Sequence, residues 1–310
     1  MHINMPELTT VATTYEANCV AAGGTAAQCD DNVWGAGAIT GTQTNSILVN
    51  GMTNPIISLV ANRWYRWRMV FAAVDGVLQP TLTGCEIGLL AKDGVYLHSA
   101  PRTITEGYMG PGNRADWVVR CPAGTYMWTS AGRRRRLQGG KGAGGKGGGA
   151  AGNALGGGGA GNAAISQTLA TVVATDGATA EIACDLPVFS VNRPCYLADL
   201  RTATVDQTIA IGLGPVPRIN GNEWATSTTY DHTMVVGTAV ELTLTGVNAH
   251  PFHLHINPFQ IVADPADTNG NYFLAGDWHD VLISPNANVN VRLQTDYYTG
   301  AQVFHWCAAL

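Results

Sequence analysis

The sequence predicts an all-β fold built from sandwiches of short strands. Helical periodicity is scarce, short alternating or apolar runs recur, and Gly, Pro, Asn and Asp residues typical of turns separate them. Apolar residues make up 46% of the 310 residues and charged residues only 13%, so the chain can build a sizeable core.

Six runs are typical of strands. One of them alternates large apolar residues with Arg66 and Arg68, as a half-buried antiparallel strand does. In chain order the six runs are 46–49, 64–70, 116–119, 169–173, 239–244 and 289–293. Because the composition changes near residues 185–205, we expect two β-domains, 1–190 and 191–310.

Residues 133–164 interrupt the first expected domain with glycine-rich, low-complexity sequence. Such a segment cannot bury enough apolar surface to offset its ordering entropy, so we expect a disordered insertion in a hairpin loop. It begins with four arginines, Arg133 to Arg136. A nuclear-localisation or anion-binding patch is one interpretation; we favour the solvated edge of an insertion.

The net charge of −5 gives no reason to expect a nucleic-acid partner. No stretch approaches the roughly 18 apolar residues of a membrane span, so we expect no membrane partner. Residues 1–7 lack the basic and apolar parts of a secretory signal. The localisation stays open.

Seven cysteines are present, and none forms a CxxC pair, which argues against a zinc ribbon or a thioredoxin-type motif. Cys19 and Cys29 close one short loop, and Cys184 and Cys195 another. Both pairs suit disulfides in an oxidising compartment. The odd count leaves at least one thiol unpaired.

Three of the eight histidines lie in the hexapeptide HPFHLH, residues 250–255. Side chains alternate along a strand, so His253 and His255 project to one side. Pro251 fixes a bend and leaves His250 free to point elsewhere. This arrangement predicts ligands for two neighbouring metal sites. Imidazole suits copper, zinc, iron and nickel alike, so the motif alone does not identify the metal.

The hexapeptide and the following NPFQIV at 257–262 resemble the last cupredoxin domain of multicopper oxidases, the group of laccases, ascorbate oxidases and bilirubin-oxidase-like enzymes. CYLADLR at 195–201 and GDWHD at 276–280 extend the resemblance. The first unit resembles the middle domain of the family at 49–51, 64–70, 92–95 and 110–116. The resemblance implies two cupredoxin-like (plastocyanin-like) Greek-key β-sandwiches.

It also implies a copper-binding oxidoreductase. In this family a type 1 copper takes electrons from a small-molecule reductant, such as a phenol or a metal ion. A trinuclear copper cluster then reduces dioxygen to water. Carried over by position, His250 would bind the type 1 copper, His253 the type 2 copper and His255 one copper of the type 3 pair.

The sequence departs from the family near its end, where His305-Trp306-Cys307 stands in place of a His-Cys-His strand. With His305 as the first histidine, Trp306 takes the thiolate position and Cys307 faces the cluster. With Cys307 as the thiolate, the segment is slipped by one residue, and Trp306 replaces a histidine. Neither register restores the ligand set, and both His305 and Cys307 stay candidate metal ligands.

The family draws half of its cluster histidines from two HxH pairs in a first domain, whereas this sequence has one HxH pair, 253–255. We therefore expect a middle domain and a truncated last domain, incomplete and inactive alone. The second interpretation is a non-catalytic copper- or zinc-binding cupredoxin fragment, or a truncated gene product. We interpret His279 as structural. Asp277 and Asp280 either orient imidazoles or make structural hydrogen bonds.

Overall fold

The computed structural model describes residues 47–73, 76–130, 167–177, 186–190, 197–214, 218–223, 231–295 and 298–306. The insertion at 133–164, the two expected cysteine pairs and Cys307 lie outside these residues. The described residues form strands and loops without an α-helix. A membrane-spanning helix is accordingly not found among them.

The N-terminal half, residues 47–190, contains two larger sheets, with strand orders β1-β10-β9-β3 and β2-β8-β4-β5, and a two-stranded sheet, β11-β6. Its strands are β1 Ile56–Val60, β2 Tyr65–Val70, β3 Pro80–Leu82, β4 Glu86–Lys92, β5 Val95–Tyr96, β6 Ser99–Ala100, β7 Arg102–Thr103, β8 Arg114–Arg120, β9 Gly124–Ser130, β10 Gln167–Thr175 and β11 Phe189–Ser190. The rings of Trp67 on β2 and Trp128 on β9 meet edge to face, with their centroids 5.3 Å apart. The two larger sheets therefore face each other as a sandwich.

The C-terminal half, residues 197–306, has a five-stranded sheet, β12-β15-β20-β17-β18, and a three-stranded sheet, β19-β16-β21. Its strands are β12 Gln207–Gly212, β13 Arg218–Ile219, β14 Asn222–Glu223, β15 Ala239–Thr245, β16 Phe252–Leu254, β17 Phe259–Ile261, β18 Trp278–His279, β19 Val281–Leu282, β20 Asn288–Gln294 and β21 Phe304–Trp306. Phe252 and Phe259 join the two sheets, with their ring centroids 5.6 Å apart. Both phenylalanines are fully buried.

The predicted all-β class is confirmed, and five of the six predicted runs correspond to β2, β8, β10, β15 and β20. The strand expected at 46–49 is wrong: within 47–49 only Val49 pairs, with Met52. Asn50 and Gly51 reverse the chain there with φ of 53° and 80°, because Asn and Gly tolerate a positive φ in a two-residue turn. Ser130 pairs with Gln167 across β9 and β10, so the intervening segment connects a hairpin, as predicted.

A disulfide that the sequence prediction missed joins Cys85 to Cys121. Cys85 precedes β4 and Cys121 follows β8, and these two strands are antiparallel neighbours that pair Glu86 with Arg120. The two cysteines are therefore the next opposed positions at this end of the sheet. Their sequence separation of 36 gives no local sign of that proximity.

Candidate metal centre

Among the described residues, three histidines of the C-terminal half form a group of side chains that could hold a metal ion. His253, His255 and His305 each place one ring nitrogen within 4.8 Å of the others. Their ring centroids lie 4.8 to 5.4 Å apart. His255 is exposed, while the other two are half-buried, so the group opens to solvent on one side.

Strand pairing brings these histidines together. On β16 the buried Phe252 and Leu254 alternate with His253, which turns the imidazole away from the core. His305 on β21 lies directly opposite His253. This pairing puts the side chain of His305 on the same face as that of His253, as in the register with His305 as the first histidine.

The chain turns sharply straight after His255. Ile256 has a φ of +72°, and the backbone N–H of Asn257 donates to the carbonyl of His255 at 2.8 Å. A bond from residue i+2 to residue i around a positive φ defines the strained form of the γ-turn. Positive φ is rare for a β-branched residue, and strained backbone of this kind clusters at functional sites.

A backbone carbonyl orients the ring of His253. Nδ1 of His253 lies 2.7 Å from the carbonyl oxygen of Asp280. A carbonyl can only accept a hydrogen bond, so Nδ1 carries the proton and Nε2 keeps the lone pair with which imidazole binds metals. Asp280 thus orients an imidazole, one of the two roles left open for it, and it does so through its backbone rather than its carboxylate.

Side chains of the N-terminal half hold Asp280 in turn. Arg114 donates to both carboxylate oxygens of Asp280, at 2.6 Å each. Asp93 accepts from the N–H of Val281 at 3.4 Å, and Asn113 donates to the carbonyl of Val281 at 2.8 Å. These contributors were not predicted from the sequence. Their only signal was that 92–95 and 110–116 fall in segments resembling the family.

A second set of contacts across the junction centres on Asp277. Its carboxylate accepts from Lys92 at 2.7 Å and from Arg102 at 2.8 Å. Burial lowers the pKa of Lys92 to about 8, although the charge of Asp277 opposes that shift. Burial also acts to raise the pKa of Asp277, but the charges of Lys92 and Arg102 outweigh it and hold this pKa below its usual value. Among the two roles considered for Asp277, these contacts favour the structural one.

The predicted ligands have different outcomes. The structure brings His253, His255 and His305 together, and His250 is not a member of this group. His250 is buried, with its N–H bonded to the carbonyl of Gly246. Cys307 lies outside the described residues. His279 is bound to Asp93 at 3.2 Å, in agreement with its structural interpretation.

The three imidazoles fit a copper ion on two observations. Nε2 of His255 lies 3.3 Å from Nε2 of His305. Two imidazole nitrogens bound to one ion at about 2.0–2.1 Å stand roughly 3.3 Å apart at a tetrahedral angle. The group also consists of imidazoles alone, a donor set that suits copper and zinc and disfavours magnesium or calcium.

Comparisons with known proteins match the C-terminal half to one family. Residues 192–308 match the family model described as Multicopper oxidase. No curated protein sequence matches the chain significantly.

Several solved structures share the fold. The multicopper oxidase of Campylobacter jejuni, described as a metallo-oxidase, is 17% identical, has a TM-score of 0.59, and covers 85% of this chain and 54% of its own. The multicopper oxidase of Aquifex aeolicus is 18% identical, with a TM-score of 0.60 and coverages of 86% and 56%. That of Pseudomonas thermotolerans is 21% identical, with a TM-score of 0.58 and coverages of 87% and 57%.

The chain thus spans about half the length of these oxidases. At sequence identities of 17–21%, the structural similarity shows the fold alone. It confirms the expected cupredoxin-like β-sandwiches. Residues 192–308 thus match the multicopper oxidase family, whose cofactor is copper, and most of the chain shares the fold of these enzymes.

Proposed function

We propose that this chain binds copper through His253, His255 and His305 and contributes these ligands to an oxidase centre of the multicopper type. The observation that carries the proposal is the convergence of three ring nitrogens within 4.8 Å. Bound copper would supply one-electron chemistry between a reductant and dioxygen. The chain's own part is to hold the imidazoles in place and to leave one side of the group open.

The other predicted ligands enter the same proposal at separate positions. His250 is not a member of the three-histidine group, as expected for a ligand of a different copper. Cys307 follows His305 by two residues, the spacing at which an extended chain presents side chains to the same face. We keep both as candidate ligands. We also keep the two-unit division at residues 190 and 191.

We further propose that the 310-residue chain does not by itself couple a phenol-like or metal-ion reductant to dioxygen. Trp306 occupies the sequence position of the type 1 thiolate, and a single HxH pair is present. A blue-copper site needs a thiolate beside its imidazoles. Under this proposal the chain is a copper-binding part of an oxidase centre and not a complete catalyst.

The test is the metal content of the purified full chain after copper loading and desalting. We expect about one tightly bound copper per chain, without the intense blue absorption of a thiolate site, and its loss in His253→Ala. His98→Ala is the matched control, because His98 is an exposed histidine outside the group. Equal copper in the wild type and His253→Ala would overturn the proposal, as would a strong preference for zinc.

The second part is tested by oxygen consumption. With copper and a phenolic reductant, we expect the rate of the wild-type chain to equal that of His253→Ala. Sustained uptake of dioxygen by the wild type, abolished in His253→Ala, would show that the chain is a complete catalyst.

A further inference from the structure

Asp280 lies where the chain passes from one sheet to the other. The strand before it, β18, pairs with β17 in the five-stranded sheet, and the strand after it, β19, pairs with β16 in the three-stranded sheet. Asp280 itself is not a paired residue of either strand. Contacts outside the sheets therefore contribute to the position of its carbonyl.

That carbonyl accepts two hydrogen bonds. One comes from the backbone N–H of Leu254 at 3.2 Å, and the other from Nδ1 of His253 at 2.7 Å. A movement of Asp280 would therefore turn the imidazole of His253 or break its bond. Partners of this kind fix the tautomer and the direction of a metal-binding histidine.

Arg114 contributes the strongest contact to Asp280 from outside the sheets. Two bonds of 2.6 Å, one from each of its terminal nitrogens, join its guanidinium to the two carboxylate oxygens. The same guanidinium donates to the carbonyl of Asp93 at 2.8 Å and to that of Gly112 at 3.2 Å. Arg114 is thereby fixed to its own half of the protein, and a planar, two-pronged contact constrains direction as well as distance.

We propose that Arg114 is a positioning residue for the metal centre: it fixes Asp280, whose carbonyl orients His253 for binding through Nε2. The N-terminal half thus acts on a ligand set that lies wholly in the C-terminal half. This inference rests on the proposed function, since it assumes that His253 binds copper.

The competing explanation is that the pairing of β16 with β19 holds the carbonyl without help. Arg114 would then contribute to folding stability alone. The two explanations differ in what happens to bound copper, because only a displaced imidazole changes the affinity for the ion and its coordination.

The experiment uses the full chain and measures Cu(II) affinity by competition with a chelator, together with the electron paramagnetic resonance spectrum of the bound copper. Variants are Arg114→Gln, Asp280→Asn and the double variant. We expect each single variant to bind Cu(II) about 10-fold more weakly, the lower end of the range for partners of ligating histidines. The copper hyperfine splitting should change as well.

The double variant should be no weaker than either single variant, since both substitutions cut the same link. Arg120→Gln is the matched control: it removes a comparable two-pronged pair, with Glu86 at 2.8 and 2.9 Å, on the same strand β8. Its Cu(II) affinity and spectrum should equal those of the wild type.

The outcomes separate the two proposals. Unchanged affinity and spectrum in Arg114→Gln, with copper still lost in His253→Ala, would overturn the positioning role and leave the copper site intact. No copper bound by the wild type would overturn the proposed function itself. If Arg114→Gln does not fold, Arg114→Lys carries the test: it keeps the charge but not the two-pronged bond, and we expect a smaller weakening in the same direction.

Discussion

Asp93 and His279 meet across the junction of the two halves, with Oδ2 of the carboxylate 3.2 Å from Nδ1 of the imidazole and both side chains buried. The rings of Phe259 and Phe273 stack near the imidazole, at 6.4 and 6.0 Å. Burial lowers the pKa of His279, helped by the charge of Lys92 and opposed by Asp93. The imidazole is therefore neutral at pH 7 and donates its Nδ1–H to Asp93.

This lowered pKa predicts a pH dependence of folding. In the unfolded chain the pKa of His279 has its ordinary value of 6.5. As the pH falls below that value, His279 becomes protonated in the unfolded chain but stays neutral in the folded one. The free energy of unfolding then decreases by at most about 1.4 kcal/mol per pH unit. The contribution of neutral His279 to the free energy of unfolding is therefore complete above pH 6.5. It is lost as the pH falls toward the lower pKa that His279 has in the folded protein.

Urea unfolding of the metal-free chain in steps below pH 6.5 measures this dependence. His279→Asn keeps an N–H donor toward Asp93 and removes the titration, so its free energy of unfolding should fall less steeply over that range. His98→Asn is the control, because it alters an exposed histidine away from the junction. Equal slopes for the wild type and His279→Asn would contradict the prediction.

The buried carboxylate of Asp277 should be among the costliest side chains to neutralise. Asp277→Asn leaves Lys92, whose side chain is 2% exposed, without the carboxylate of its ion pair. Removal of one partner of a buried ion pair costs about 3–5 kcal/mol. Chemical denaturation measures the loss.

Asp199→Asn offers the comparison for Asp277→Asn. It breaks a solvent-exposed pair with Arg201, whose side chains are 50% and 43% exposed, and should cost at most about 1 kcal/mol. Similar costs for the two variants would show that the junction does not depend on this buried charge.

Ile256→Gly should stabilise the fold. A non-glycine residue held in an unfavourable backbone region costs about 1–3 kcal/mol, whereas the added freedom of glycine in the unfolded chain costs roughly 0.5–1 kcal/mol. The isoleucine side chain is 53% exposed, so little packing is lost. We expect a higher melting temperature, measured by circular dichroism.

Ile56→Gly is the matched control, since Ile56 is also exposed but lies in strand β1. That variant should have a lower melting temperature than the wild type. A lower melting temperature for Ile256→Gly as well would mean that the turn after His255 carries no strain to release.

The Cys85–Cys121 disulfide should stabilise the N-terminal half through the loop that it closes. With a sequence separation of 36, the chain-entropy relation gives about 4 kcal/mol. The double variant Cys85→Ser/Cys121→Ser should lose most of this free energy of unfolding in urea.

Reductant distinguishes this bond from the remaining cysteines. Added dithiothreitol should lower the stability of the wild type toward that of the double variant. If the double variant is as stable as the oxidised wild type, the bond contributes nothing to the fold.

Much of the fold followed from local patterns. The alternation in 64–70 predicted β2, and the composition of turns and apolar runs predicted the all-β class. The hexapeptide at 250–255 indicated the family that residues 192–308 match, because ligand spacing along one strand is itself a local property. The failure at 46–49 has a local cause too: the turn at Asn50 and Gly51 limits pairing to a single bridge.

By itself the sequence determined the fold class, the resemblance to multicopper oxidases and two adjacent imidazoles, His253 and His255. Only the tertiary structure decided that His305 faces them, since a shift of one residue would have presented Trp306 instead. It also brought Arg114 to Asp280, 166 residues away, and Cys85 to Cys121. Such contacts depend on which strands become neighbours, and the free energy of packing whole sheets decides that, not the residues near each side chain.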